Sequence, residues 1–283
     1  MELLQVQELT KRYPTFTLDR VSFSLEPGTI MGFIGRNGAG KTTTLKAIMG
    51  LVHPDGGTVR MFGRDFAKDE LFCKQQVGFV LGGVNYYADR KLRDIADVTG
   101  RFYPDWDQSL FERYLNRFDL DPNKRVKALS EGMKVKFSLA LALSHKARLL
   151  LLDEPTSGLD PVSRDELLDI FLDLVSDEER SILFSTHITS DLERCADDIT
   201  YLQTGRVLAS TDRETFLETY CLVSGGLDQL VPDLKEKLIG CRKQAFGFEA
   251  MLPARELGAW PGLRSAKATL EEIMVHLERE ERE

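Results

Sequence analysis

An α/β fold with a mainly parallel sheet is predicted by three observations. Strand-like and helix-like segments alternate between residues 149 and 211. The run Leu149-Leu150-Leu151-Leu152 is apolar throughout, as a strand covered on both faces should be. A glycine-rich loop, Gly35 to Thr42, separates the strand-like Thr29 to Ile34 from the helix-like Thr43 to Leu51.

Taken in order, residues 3–9 and 16–25 read as two strands of an N-terminal antiparallel sheet, with a turn around Pro14 that includes Tyr13. The second strand alternates, with Val21, Phe23 and Leu25 on one face. After the loop and its helix, His53 to Gly57 is a turn cluster. A strand at 58–62, a charged helical stretch near 68–75 and a buried strand at Val77 to Leu81 follow. Between about 83 and 145 the strand-like runs stop, and Lys91–Phe102, Gln108–Phe118 and Glu131–His145 show helical spacing. This predicts a helical subdomain inserted into the core. Its aromatics are expected to be packing residues, except Tyr86 and Tyr87, which fall in a surface turn. The core resumes with the strand at 149–152, helix 162–175, strand 181–185, helix 189–196 and strands 198–203 and 207–211. Residues 1–213 therefore form one expected domain. Residues 214–283, punctuated by Gly225-Gly226, Pro232, Pro253 and Pro261, form a small α/β appendage ending in a helix near Leu270–Leu277.

Bulk properties place the chain among soluble globular proteins. It has 283 residues, 42% hydrophobic and 29% charged, with a formal charge of −8. That acidic balance argues against general nucleic-acid binding. Cys73, Cys195, Cys221 and Cys241 are widely spaced, so they read as reduced thiols and not as a disulfide or zinc framework. Glu2 stands early and no positive stretch precedes an apolar run, so no signal peptide is expected. The apolar runs are too short to span a bilayer.

The loop Gly35-Arg36-Asn37-Gly38-Ala39-Gly40-Lys41-Thr42 fits G-x-x-x-x-G-K-[ST]. A polyphosphate wrapped by backbone N–H groups leaves no room for side chains at the turn, and glycine reaches the angles such a nest needs. Lys41 supplies a point charge for the outer phosphates. The Thr42 hydroxyl is a candidate Mg2+ ligand. The following helix adds a terminus that favours anions. A second signal is the apolar strand ending in Asp153-Glu154. Asp153 is a candidate Mg2+ ligand and Glu154 a candidate base for an attacking water. A third is Leu129-Ser130-Glu131-Gly132-Met133, which opens a helix with Ser130 at its N-cap.

Together with Tyr13, Gly158-Leu159-Asp160 and Ser185-Thr186-His187, these motifs resemble, in order and spacing, the ATP-binding subunit of an ATP-binding cassette (ABC) transporter over about residues 3–211. The resemblance implies an ATPase that uses ATP and Mg2+. It implies that Tyr13 stacks on adenine. It implies that Gly35, Asn37, Gly38, Ala39, Gly40, Lys41, Thr42 and Thr43 hold the phosphates, and that Thr42 and Asp153 hold the metal. Glu154, His187 and Lys41 are then catalytic. Ser130, Gly132 and Asp160 belong to a site shared with a second subunit, a second copy or a related chain. It also implies a separate transmembrane permease, and a cytoplasmic location at the inner face of the membrane reached only through that partner.

Two positions depart from the family pattern. Gly82 stands where a glutamine usually ends the strand at 77–81, and Glu131 replaces a usual glycine, with Lys134 and Lys136 nearby as counter-charges. Such variants resemble subunits of exporter-type systems, including peptide and antibiotic-resistance exporters. They also favour an alternative, a regulatory or structural cassette that binds ATP with little hydrolysis. Intact Glu154 and His187 oppose it. The short 83–145 segment, which lacks sustained heptads, argues against a chromosome- or repair-type cassette.

Overall fold

The computed structural model describes residues 2–81 and 87–280. The chain divides into two compact units, Met1–Ser210 and Thr211–Glu283.

In the first unit, strands β1 (Leu4–Tyr13) and β2 (Phe16–Leu25) form an antiparallel hairpin. Tyr13 is the last residue of β1, placed just before the Pro14-Thr15 turn and not within it. Strand β3 (Ile30–Ile34) leads into helix α1 (Lys41–Ile48), which starts at the loop lysine, two residues before the expected Thr43. Strands β4 (Gly56–Met61) and β5 (Arg64–Asp65) complete a four-stranded sheet of order β2-β1-β4-β5. Helix α2 (Glu70–Gln75) precedes strand β6 (Val77–Val80). The inserted segment contains α3 (Leu92–Gly100), α4 (Gln108–Arg117) and α5 (Glu131–Ser144).

Strand β7 (Leu149–Asp153), helix α6 (Pro161–Val175), strand β8 (Ser181–Thr186), helix α7 (Thr189–Cys195) and strands β9 (Asp198–Gln203) and β10 (Arg206–Asp212) follow. The second sheet has the order β10-β9-β3-β8-β7-β6, and its β6–β7, β7–β8, β8–β3 and β3–β9 pairs are parallel. Every residue of β3, β7 and β8 is buried, as expected for parallel strands covered on both faces. The parallel order carries the carboxyl ends of β3, β7 and β8 to one edge, where Ile34, Asp153 and Thr186 lead into the functional loops. A core cluster including Val6, Phe23, Phe33, Leu45, Leu151 and Leu183 joins the two sheets around α1.

Helix α5 is buried on all sides from Phe137 to Ser144, so packing and not amphipathicity holds it. It ends at His145, whose ring stacks on Tyr103 with centroids 3.7 Å apart. Burial pushes the His145 pKa down to about 4, leaving a neutral ring whose Nδ1 lies 3.3 Å from the Gln75 carbonyl. That contact ties the inserted helices to the end of α2, just before β6.

The second unit contains α8 (Arg213–Glu218), β11 (Tyr220–Gly225), α9 (Pro232–Lys235), β12 (Ile239–Gln244), β13 (Gly247–Pro253), β14 (Arg264–Lys267) and α10 (Leu270–Glu280). Its strands form an antiparallel sheet of order β12-β13-β11-β14. Only the closing helix was placed from the sequence. The strands are short and the edge strands β12 and β14 are largely exposed, so their period is weak in the chain.

A prediction concerns the seat of α5 on the sheet. A β-carbon on Gly78 of β6 would lie 2.5 Å from Ala142 Cβ and 2.6 Å from Leu150 Cδ2. Gly78→Ala is therefore expected to destabilise the protein by about 1–3 kcal/mol, the cost of overpacking a filled core. Urea unfolding monitored by circular dichroism measures it.

Candidate nucleotide-binding site

The loop between β3 and α1 bends where its glycines permit. Gly38 has φ +87° and Gly40 φ +109°, a region that side-chain-bearing residues rarely adopt. A β-carbon on Gly38 would meet nothing within 4 Å, so this backbone faces open space, whereas one on Gly40 would lie 2.8 Å from the Phe16 ring. The Lys41 ammonium is buried beneath the loop. It donates to the carbonyls of Gly35 at 2.7 Å and Arg36 at 3.3 Å.

The ends of β7 and β8 supply the acidic half. Thr42 Oγ1 donates to Asp153 Oδ2 at 2.8 Å, and Ser185 Oγ donates to Asp153 Oδ1 at 2.6 Å. Glu154 has φ +50°, a strained conformation for a residue with a side chain. Its two carboxylate oxygens are divided: Oε1 lies 3.2 Å from Lys41 Nζ and Oε2 lies 2.8 Å from His187 Nδ1. A carboxylate only accepts, so Nδ1 carries the proton and Nε2 is the ring's remaining polar atom.

These groups border a cleft of about 320 Å³ lined by Asn37, Gly38, Gly40, Lys41, Thr42, Thr43, Glu154 and His187, all singled out from the sequence. Phe16, Arg36 and Ser157 also line it, and sequence reasoning did not select them. Phe16 follows the β1–β2 turn, and the signal available was its place three residues after Tyr13. Tyr13 itself does not border the cleft. Its ring is 6.5 Å from that of Phe16 by centroid, with Lys11 Nζ 5.9 Å from its own centroid. Gly35 and Ala39 shape the loop from behind: a β-carbon on Gly35 would strike the Leu202 carbonyl, and the Ala39 carbonyl accepts from Gly205 N–H at 2.9 Å.

Ser130, Gly132 and Asp160 do not border this cleft. Ser130 caps α5, its Oγ accepting from Met133 N–H at 3.3 Å. Asp160 caps α6, with Oδ1 accepting from the Val162 and Ser163 amides and Oδ2 from the Ser163 hydroxyl at 2.7 Å. The Ser163 hydroxyl and amide hold the Asp160 pKa below the usual carboxylate value. The two caps are neighbours, since a β-carbon on Gly132 would sit 3.4 Å from Leu159 Cδ2 and 3.7 Å from Ser163 Cβ. They form a second cluster. Glu131 pairs with Lys134 at 2.6 Å, whereas Lys136 is engaged by Glu166 of α6 at 2.6 Å. Only one of the two lysines therefore serves as the counter-charge expected for Glu131. Gly82, Gly83 and Tyr86 lie outside the described residues, and Tyr87 is exposed.

Residues 18–157 match the family described as ABC transporter. The chain is similar to the ABC transporter ATP-binding protein YtrB of Bacillus subtilis (strain 168), with 30% identity over 252 residues covering 88% of this chain and 86% of the relative. The chain belongs to the ABC transporter ATP-binding proteins. It is also similar to the ABC-type transporter ATP-binding protein EcsA of Bacillus subtilis (strain 168), at 32% identity over 85% of this chain and 99% of that one. A third relative is the bacitracin transport ATP-binding protein BcrA of Bacillus licheniformis, at 31% identity over 73% of this chain and 68% of the relative. A solved ATP-binding subunit of an ABC transporter superposes with a TM-score of 0.68 at 29% identity, covering 75% of this chain and 91% of that one. The α/β core, the ATP-binding role and the ATPase activity expected from the motifs are those of this family. Among the described residues no helix is long and apolar enough to cross a membrane.

The paired aromatics generate a prediction. Base stacking on an aromatic is worth about 1–3 kcal/mol, so Tyr13→Ala and Phe16→Ala are each expected to weaken ATP binding several-fold. The saturated rate should be spared, because adenine contacts do not change between ground and transition states. Equilibrium titration alongside steady-state kinetics separates the two quantities.

Proposed function

We propose that this ABC ATPase subunit works as one half of a dimer that drives a separate membrane permease at the inner face of the membrane. Residues 1–213 carry the ATPase and 214–283 an appendage. The observation that carries this reading is the division of the candidate residues. Lys41, Thr42, Glu154 and His187 line one cleft, with Asp153 hydrogen-bonded to Thr42, while Ser130, Gly132 and Asp160 lie in a second cluster outside it. A second chain turned head to tail brings its own cluster against this cleft and completes it.

Thr42 and Asp153 suit Mg2+. Their oxygens are hard donors already 2.8 Å apart, and Mg2+ takes few protein ligands and keeps phosphate and water for the rest. Bound there, the ion would neutralise charge on the outer phosphates. The chain's own groups do the remainder. Backbone N–H groups of the loop cradle the phosphates, and Lys41 offers them its ammonium. The Glu154 carboxylate retains lone pairs beyond those used by Lys41 and His187, and it takes the proton of the attacking water. The water oxygen bonds to the terminal phosphorus as the bridging P–O bond breaks, and ADP and phosphate leave. His187, oriented by Glu154, turns toward the terminal phosphate. Glu131 is compensated by Lys134, which removes the charge argument for a cassette with little hydrolysis. Export is the direction favoured by the Nod factor export ATP-binding protein I of Burkholderia lata, 32% identical over 76% of this chain and 73% of that one.

Glu154→Gln is expected to leave ATP binding intact and slow turnover about 10²–10⁴-fold. Phosphate release measures it, and turnover within about twofold of wild type removes Glu154 as the base. The shared site has its own test. Lys41→Ala and Ser130→Arg should each abolish nucleotide trapping as homodimers. Mixing them should restore trapping at one site per mixed dimer, since one site then pairs an intact loop with an intact Ser130. Mixed dimers that form without trapping refute the shared site.

A further inference from the structure

Ser185 faces Asp153 across the parallel register of β7 and β8, and it is fully buried. In-register neighbours on adjacent strands direct their side chains to the same face, so the two side chains meet. The Ser185 hydroxyl has one proton. It donates that proton to Asp153 Oδ1 at 2.6 Å, and with its lone pairs it accepts the Glu154 amide N–H at 3.0 Å. The same N–H reaches the Ser185 carbonyl at 3.1 Å.

One oxygen atom thus holds two consecutive acidic residues in different ways. The bond to Asp153 is charge-assisted, the stronger class of hydrogen bond. It occupies Oδ1 and stops the carboxylate from rotating, which leaves Oδ2 aligned with Thr42. The bond from Glu154 grips the backbone of a residue at φ +50°, a strained conformation that persists only where the surroundings over-determine it. A buried hydroxyl costs stability unless its hydrogen bonds are made. Phe184 and Thr186 beside it pack without reaching either carboxylate in this way.

We infer that Ser185 is the positioning residue for both acids: it aims Asp153 Oδ2 at the cation position beside Thr42, and it sets the backbone from which Glu154 reaches the attacking water. This inference rests on the roles proposed above for Asp153 and Glu154.

Ser185→Ala removes a single oxygen. Its kcat is expected to fall about tenfold or more, the change expected when one hydrogen bond to a charged group is lost. KM for ATP should stay within about twofold, because the loop contacts are untouched. A second readout is free of turnover. In a Glu154→Gln background, the Mg2+ concentration that half-saturates binding of trinitrophenyl-ATP should rise several-fold when Ser185→Ala is added. A folded Ser185→Ala protein with wild-type kcat and wild-type Mg2+ dependence overturns the inference, as does a variant whose only change is a lower melting temperature. Should Ser185→Ala fail to fold, Ser185→Cys keeps the volume with only a weak S–H donor. It must show the same two shifts, and unchanged values there overturn the inference equally. Glu154→Gln that turns over normally would point instead to failure of the underlying assignment.

Discussion

The Asp153 carboxylate, held between two hydroxyls, is the interaction on which the site depends. Thr42 reaches one of its oxygens from the first turn of α1, and Ser185 reaches the other from β8. Asp153 itself ends the fully buried β7. The phosphate loop, the strand that carries the acids and the strand that leads to His187 are therefore joined at one buried residue. A buried carboxylate is costly unless its oxygens are satisfied, and here the satisfaction comes from the elements that must stay in register for the cleft to exist. Displacing any of these three elements exposes or orphans that charge.

The same economy governs Glu154. Its left-handed backbone would be unfavourable in isolation, yet the amide is anchored by Ser185 and the side chain by Lys41 and His187. Lys41 is anchored in turn by the carbonyls of its own loop. Cation, acid and imidazole form a chain of contacts across the cleft. A polyphosphate held there as proposed would compete with Glu154 for the Lys41 ammonium. Occupancy of the cleft and the freedom of the Glu154 carboxylate are thereby linked through a single pair.

The second cluster obeys a different logic. Ser130 and Asp160 spend their oxygens on helix caps, and the helices they start pack together through Gly132, Leu159 and Ser163. The caps fix the two helix starts as one rigid edge. Rigidity of that edge matters if it is to meet another chain, because a site assembled from two molecules needs each half formed beforehand. The Lys136–Glu166 pair adds a further tie between the same two helices.

Much of this was legible in the chain because its strongest signals are local. The glycine spacing before Lys41 demands a tight loop whatever lies around it, and an unbroken run such as Leu149–Leu152 can only be an interior element. The helix start at Ser130 follows from a side chain reaching its own backbone, and the motifs along residues 3–211 identified the family. Tertiary structure alone decided three things. It set the register of β7 against β8, which makes Ser185, read in the sequence only as part of the Ser185-Thr186-His187 motif, a partner of Asp153. It brought Phe16 to the border of the cleft, with the Tyr13 ring 6.5 Å from it at the end of β1. It also separated Ser130, Gly132 and Asp160 from Lys41. None of these could be read from spacing, since register, turn placement and the distance between clusters are set by packing between segments far apart in sequence, where local propensity carries no information.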